Sequence, residues 1–462
     1  MRLASDLTPI QRSTLHSRNA SGKPLPNIVA HFSTRRTEIQ PQAHTGSYYA
    51  ATVNDVTDFA PLQGEQSADV CVIGAGFTGI STALHLAERG YNVHVVEANK
   101  VGWGASGRNG GQMIGGIAGE ECVAGHLGKD VEDIFSELRW AGHEIIRERV
   151  QTYGIDCDLK YGYLDVAIKE RHIRDIEADF ERLQKQDFPH EFRILSRDEV
   201  QETIGTSVYI GALLNMGNGH LHPLKLCVGE ARAAVSLGVT IYEQSPVINI
   251  EKGSKPRVVT QQGAVTADFV VLAGNAYHEL DQKLRGVMFP VNSFIIATEP
   301  LSEEIVSAIN PQDLAVCDPN FVLEYFRLSA DKRLLFGGRI NYFGDDPAII
   351  TKMHRPKMAR IYPQLANIGI DYAWGGTIGV PIKRVPLLGR LSPNVFYCQG
   401  YSGHGVNVTH LAGRIMADAV AGTLEQFDMF ANVKPFIVPG AKLFTKPMVS
   451  LGMLYYQIKD RL

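Results

Sequence analysis

The sequence predicts an α/β (α+β) chain in which a parallel-sheet domain is interleaved with a second domain built on a mixed/antiparallel sheet. Two observations predict it. Short continuous apolar runs, of the kind buried on both faces of a parallel sheet, occur early, midway and late, at residues 69–73, 266–273 and 395–398. Between them, residues 163–168, 290–298, 321–328 and 333–337 read as strands of an antiparallel type. A sheet visited three times, with other strands in the gaps, means two interleaved domains and not two in series.

The elements follow in order. Residues 1–60 are rich in Ser, Thr, Gln, Pro and Asn, carry five arginines and show no apolar period. They lack the apolar core of a secretory signal. A basic, Ser-rich start admits a transit peptide, and a loose or partly docked tail is the plainer expectation. The run Asp69-Val70-Cys71-Val72-Ile73 is a buried strand, and Ile80, Ala83, Leu84 and Ala87 mark the buried face of the helix after it. Gly90 ends that helix, and residues 93–97 form a second strand, completing a βαβ unit. Helices are expected at 130–153, 171–185, 222–237 (opened by Pro223) and from 405 to about 422, with a strand at 239–242. The expected domains are therefore a nucleotide-binding one from 67–150, 220–280 and 385–425, a substrate-binding one from 151–219 and 281–384, and a tail or helix at 426–462.

Composition narrows the function. The chain has 462 residues, a net charge of −4 and 20% charged residues, so no global basic field recruits nucleic acid. Six cysteines lie scattered without a C-x-x-C pair, which suits the cytoplasm and neither a disulfide framework nor a metal site. No apolar run approaches the roughly 18 residues of a membrane span.

Four motifs carry chemistry. In the first, Gly74-Ala75-Gly76-Phe77-Thr78-Gly79, the glycines permit a tight turn, approach of backbone to a pyrophosphate and close helix–strand packing. Glu97 ends the second strand, placed for ribose hydroxyls; strand, glycines, helix, strand and acid in this order make the start Rossmann-like. Ala98 and Val247 are also assigned to the cofactor site. The second motif, Gly104-Ala105-Ser106-Gly107-Arg108-Asn109-Gly110-Gly111-Gln112, packs poorly as core, and suits backbone lying against a flat ligand such as the flavin of FAD. Arg108, Asn109 and Gln112 add side-chain donors. The third, Gly400-Tyr401-Ser402-Gly403-His404-Gly405-Val406-Asn407, turns a strand into a helix whose start offers N–H donors to the flavin N1–C2=O edge. The fourth brings strand 267–273 to Gly274, another close backbone approach.

With these segments the chain resembles the glycine-oxidase/sarcosine-oxidase (D-amino-acid-oxidase-like) superfamily, and within it the bacterial gamma-glutamylputrescine oxidases. Ser47-Tyr48-Tyr49-Ala50-Ala51 and Gly219-His220-Leu221-His222-Pro223-Leu224 carry the narrower likeness. The resemblance implies FAD, hydride transfer from an amine carbon to flavin N5, an imine hydrolysed to aldehyde and ammonia, and O₂ reduced to H₂O₂. Alternatives are an imino-acid or N-methyl-amino-acid (pipecolate or sarcosine type) oxidase or dehydrogenase feeding a membrane carrier, and a flavin-binding subunit of a larger complex. Some relatives tether FAD through a cysteine before the last cofactor strand. Residues 380–387 contain none, so FAD is expected to be non-covalent.

Lys383, Arg384 and His404 are the candidate cations near the flavin, where they would stabilise superoxide; Lys383 is equally read as an ordinary surface or structural charge and His404 as a capping or packing histidine. Tyr325 and Arg327 share a strand face and offer an aromatic wall and a carboxylate anchor if that face looks inward. Trp374 is either a further wall or core. Residues 441–462 mix Leu, Met and Tyr with Lys and Arg, as a docked terminal helix or a membrane-surface segment does.

Overall fold

The computed structural model describes residues 41–127, 131–278, 280–320, 323–339, 344–437, 450–452, 455 and 459–460. Most of the predicted N-terminal extension, residues 321–322 of one predicted strand and most of 441–462 lie outside the described residues.

From α1 (Tyr48–Thr52) the chain enters β1 (Gly64–Ile73), α2 (Phe77–Ala87) and β2 (Val93–Val96). It then crosses to β3 (Gln112–Met113), α3 (Glu120–Leu127), α4 (Val131–Tyr153), β4 (Lys160–Ala167), α5 (Glu170–Lys185), β5 (Phe192–Ser196), α6 (Arg197–Ile204) and β6 (Gly211–His220). Helix α7 (Pro223–Ser236) returns it to β7 (Thr240–Tyr242), β8 (Asn249–Glu251), β9 (Arg257–Val259) and β10 (Gly263–Leu272). A second excursion runs through β11 (Met288–Thr298), α8 (Glu303–Ile309), β12 (Ala315–Cys317), β13 (Glu324–Leu328), β14 (Leu334–Arg339), α9 (Pro347–Ile361) and β15 (Ile370–Pro381). Strands β16 (Leu387–Ser392) and β17 (Val395–Gln399) and helices α10 (Gly405–Val420) and α11 (Glu425–Ala431) follow.

The first sheet has the order β16-β17-β10-β1-β2-β7, with β9 beside β10 and β8 beside β9. Strands β17, β10, β1, β2 and β7 are parallel. The chain leaves β1 toward β2 and β7 on one side and returns to β10 and β17 on the other. That reversal opens a crevice at the carboxyl ends of the strands, where ligands of open α/β sheets bind. Gly74, Gly274 and Gly400 all sit at those ends.

The second sheet has the order β15-β11-β14-β13-β12-β4-β6-β3, with β5 beside β6; only its β12–β4 pairing is parallel among the described strands. One face buries Phe294, Phe326 and Phe336 with Val200 of α6, Ile309 of α8 and Met358 of α9. From the other, Ile295, Leu335 and Trp374 join a core that includes Val70 and Val72 of β1 and Leu411 of α10. The two sheets therefore share apolar core on the side where the glycine-rich segments lie.

Predicted elements recur within a few residues, and the misses have local causes. Strand β6, GALLNMGNGH, is buried along almost its whole length, but its glycines and asparagines hide any strand pattern. Strand β15 is likewise broken by Gly375, Gly376 and Gly379. Ahead of β1 the chain is docked: Tyr48, Tyr49 and Leu62 are buried.

Candidate functional site

Gly79 shows why α2 begins where it does. A Cβ there would lie 1.8 Å from the Gly74 carbonyl oxygen, so only glycine lets the helix start rest on the end of β1. Gly74 itself has φ +105°. Gly76 is the N-cap and provides no side-chain cap, and no acid occupies the first turn. The positive end of the helix is thus open to an anion. Ser106 Oγ meets the Phe77 N–H at 2.9 Å, and a Cβ on Gly76 would come within 2.8 Å of that oxygen. Glu97 accepts from Ala75 N–H (2.7 Å) and Asn99 N–H (2.8 Å), one on each oxygen, and each oxygen keeps a lone pair for a hydroxyl. Burial pushes its pKa up against the pull of those N–H groups. Ala98 is part-buried beside it, whereas Val247 is buried in the apolar layer that includes Ile73, Val96 and Leu272.

The side chains of the second motif are turned onto the protein itself. Arg108 Nε donates to Trp103 O at 2.7 Å, with the guanidinium 4.2 Å above the Trp103 ring. Asn109 Nδ2 donates to Ser106 O and Ala105 O while its Oδ1 accepts from Gly111 N–H. Gln112 Nε2 donates to Val316 O on β12 at 3.0 Å. Arg108 and Asn109 thus tie the loop's own backbone at Trp103, Ala105, Ser106 and Gly111, and Gln112 ties it to β12. Gly104 and Gly110 lie against the rings of Tyr277 and Tyr325, and Gly111 (φ +71°) against Leu221 O.

At the third motif, Gly400, Ser402 and Gly403 all have positive φ, which curls the chain into the start of α10. Its N-cap His404 makes no capping hydrogen bond, and no acid lies in the first turn, so this helix end too is open to negative charge. By contrast α6 and α7 are capped by Ser196 and His222. Ser402 Oγ donates to Arg384 O at 2.8 Å, and Arg384 has φ +62°. The turn carrying Lys383 and Arg384 is thereby brought against the bend that carries Gly403, His404, Gly405 and Val406. Asn407 turns toward α4 instead: Nδ2 donates to Arg139 O at 2.8 Å and Oδ1 pairs with His143 Nδ1 at 3.0 Å. Asn275, absent from the sequence-based assignments, accepts from Gly400 N–H at 3.0 Å and ties the Gly274 bend to this one.

Tyr325 and Arg327 do share the inward face of β13. The Tyr325 ring is part-buried and fills the space beside Gly110 and Gly337, where a Cβ would lie 2.5 and 2.3 Å from its atoms. Arg327 is 3% exposed and its guanidinium is committed. Nε donates to Gly110 O, Nη1 to Leu328 O, and Nη2 to Leu221 O and Tyr49 Oη. As it stands it holds the loop and offers no free fork to a carboxylate. Trp374 is 1% exposed, with Nε1 donating to Arg108 O at 3.0 Å; of its two readings, core is the one this packing matches.

A glycine cradle that no Cβ fits, two helix starts whose N-cap residues provide no side-chain cap and a carboxylate after β2 suit the pyrophosphate and ribose of a dinucleotide. A family model described as FAD dependent oxidoreductase (DAO) matches residues 69–419. The chain belongs to that family. This FAD-dependent oxidoreductase is 40% identical over 422 residues to gamma-glutamylputrescine oxidoreductase of Escherichia coli K12, covering 91% of this chain and 99% of that one. It is also 40% identical over 428 residues to the probable oxidoreductase OrdL of Haemophilus influenzae, covering 91% and 98%. Among solved structures it is similar to glycine oxidase from Geobacillus kaustophilus (TM-score 0.66, 21% identity, 81% and 100% covered). L-proline dehydrogenase from P. horikoshii is similar too (TM-score 0.64, 21% identity, 78% and 94% covered). The fold is that of these amine and amino-acid oxidoreductases, with a Rossmann-like FAD-binding part. No helix among the described residues is long and apolar enough to cross a membrane.

Proposed function

We propose that this flavoenzyme oxidises the primary amine of a gamma-glutamyl polyamine, gamma-glutamylputrescine first. The observation that carries the reading is the 40% identity over 99% of gamma-glutamylputrescine oxidoreductase, a likeness that spans both sheets. The amine R–CH₂–NH₂ loses two electrons and two protons to become R–CH=NH, and water converts that imine to aldehyde and ammonia. Oxygen takes the same two electrons and two protons to give H₂O₂.

Bound FAD supplies the two-electron acceptor. The start of α2, with Gly76 and Ser106, holds its pyrophosphate, and Glu97 its ribose. The open start of α10, with His404 and the Lys383–Arg384 turn beside it, favours the negative charge that reduction brings. We propose that FAD is held non-covalently: Cys398, the nearest cysteine in sequence to the 380–387 turn, is fully buried, and burial pushes its thiol up to about 12. The substrate lies against Tyr325, whose apolar ring favours the unprotonated amine by excluding water. All six cysteines are free thiols, which supports a cytoplasmic setting.

The second reading, a dehydrogenase passing electrons to another carrier, is kept because an L-proline dehydrogenase has the same fold. The test offers gamma-glutamylputrescine, putrescine, sarcosine and pipecolate under argon, then in air. Flavin bleaching by gamma-glutamylputrescine and one peroxide per amine oxidised are expected. Dye reduction without peroxide rejects the oxidase; bleaching only by sarcosine or pipecolate rejects the substrate.

A further inference from the structure

Residues 42–62 precede the segment that the family model matches, yet they are fastened to the cofactor loop 97–111 at three places. At the first, Gln42 N–H donates to Asn99 Oδ1 (2.8 Å) and Trp103 Nε1 donates to Ala43 O (2.9 Å). At the second, the wholly buried Glu243 collects donors from both segments. Thr57 Oγ1 and Phe59 N–H come from one, Lys100 Nζ and Val101 N–H from the other. At the third, Tyr49 Oη accepts from Arg327 Nη2, while Arg327 Nε holds Gly110 O. The fastened Asn99 is also the residue whose N–H binds Glu97.

A glycine-rich loop loses much backbone entropy when it is ordered against a ligand. A segment that orders it beforehand removes part of that cost from binding. We propose that residues 42–62 form a strap that seats this loop for FAD, with Glu243 and Tyr49 as positioning residues that lock it down. Strap docking and FAD binding are then one coupled equilibrium, and the coupling runs both ways: a seated strap tightens FAD, and FAD seats the strap.

Full-length protein stripped of flavin and titrated with FAD tests the first direction. Glu243→Gln keeps the volume but turns an NH₂ group toward donors, and Tyr49→Phe removes one acceptor. Glu243→Gln is expected to raise the FAD Kd about tenfold, and Tyr49→Phe by a smaller factor. Because Glu243→Gln also breaks a buried ion pair and lowers the melting temperature of the flavin-free protein, both titrations are made well below that temperature. An unchanged Kd in Glu243→Gln overturns the proposal. Limited proteolysis of the unaltered chain tests the reverse direction and needs no variant. Cleavage within 42–62 is expected to slow about fivefold or more when FAD is added. Equal cleavage rates with and without FAD overturn the proposal, because a segment with only a structural role does not sense the cofactor.

Discussion

Arg327 Nε donates to the Gly110 carbonyl oxygen at 2.8 Å across 217 positions of sequence, so a strand of the second sheet holds the glycine-rich loop by its backbone. The same guanidinium also satisfies Leu221 O, Leu328 O and Tyr49 Oη.

Arg327→Lys tests that clamp. A lysine ammonium has three donors on a flexible stem and cannot reproduce a planar fork that meets four acceptors. Leaving buried carbonyls unpaired is expected to cost about 3 kcal/mol in unfolding free energy and to weaken FAD binding. Urea unfolding and FAD titration check both. Wild-type stability together with wild-type FAD affinity would show that the clamp holds nothing.

The parts legible in the sequence are those whose cause is local. Gly74, Gly76 and Gly79 act within one turn, and an apolar strand before them with a helix period after them is readable without knowing the fold. Arg108, Asn109 and Gln112 were legible as loop residues rich in donors, but a residue type does not show which way its donors point; all three point into the protein. The strand period placed Arg327 on one face with Tyr325 but left open whether that face looks inward, and its acceptors, contributed by residues 49, 110, 221 and 328, exist only after folding. Glu243 carried no signal at all. A glutamate after a short strand is ordinary until four donors from remote segments converge on it.

Gly76 and Ser106 form a second testable pair. A methyl group on Gly76 would meet Ser106 Oγ at 2.8 Å, so Gly76→Ala is expected to weaken FAD binding by displacing the Ser106 hydroxyl from Phe77 N–H. Ser106→Ala removes the same hydrogen bond directly. The double variant is therefore expected to bind FAD within about threefold of Ser106→Ala alone, as contacting residues are not additive. A double variant showing the full product of the two single effects would mean that the positions act independently. Gly79→Ala has no such rescue, because its clash is with backbone.

His222 predicts a pH dependence of stability. Its Nδ1 accepts from Lys225 N–H at 3.1 Å, so Nε2 carries the proton toward Thr52 Oγ1 at 3.1 Å and the ring is neutral. Burial, then the charges of Arg327 and Lys225, push its pKa down to about 3 from 6.5. Between those values the unfolded chain binds a proton that the folded chain refuses, so this residue destabilises the fold progressively as pH falls below 6.5. His222→Asn keeps an N-cap acceptor and removes the titration. The difference in unfolding free energy between variant and wild type is expected to move in the variant's favour by roughly 1.5 kcal/mol from pH 6.5 to about pH 5. Parallel stability curves over that range would mean that His222 takes up its proton in the folded protein as readily as in the unfolded chain.

Tyr325 and Gly337 sit opposite each other on β13 and β14, and the glycine exists to receive the ring: a Cβ there would lie 2.3 Å from Tyr325 Cζ. Gly337→Ala must therefore push the ring aside, whereas Tyr325→Ala deletes it. If the ring is the wall against which the amine substrate rests, both changes raise KM for that amine, by about tenfold for loss of a buried aromatic contact. FAD is expected to stay bound in both, since the ring meets the glycine-rich loop at Gly110 and neither change touches Gly74, Gly76, Gly79 or the helix starts. The double variant is expected to resemble Tyr325→Ala alone, because the three atoms nearest the added methyl all belong to the Tyr325 side chain. Steady-state kinetics and the flavin content of each purified variant decide the matter: unchanged KM with full flavin would remove Tyr325 from the substrate site, and flavin loss would move it to the cofactor's side.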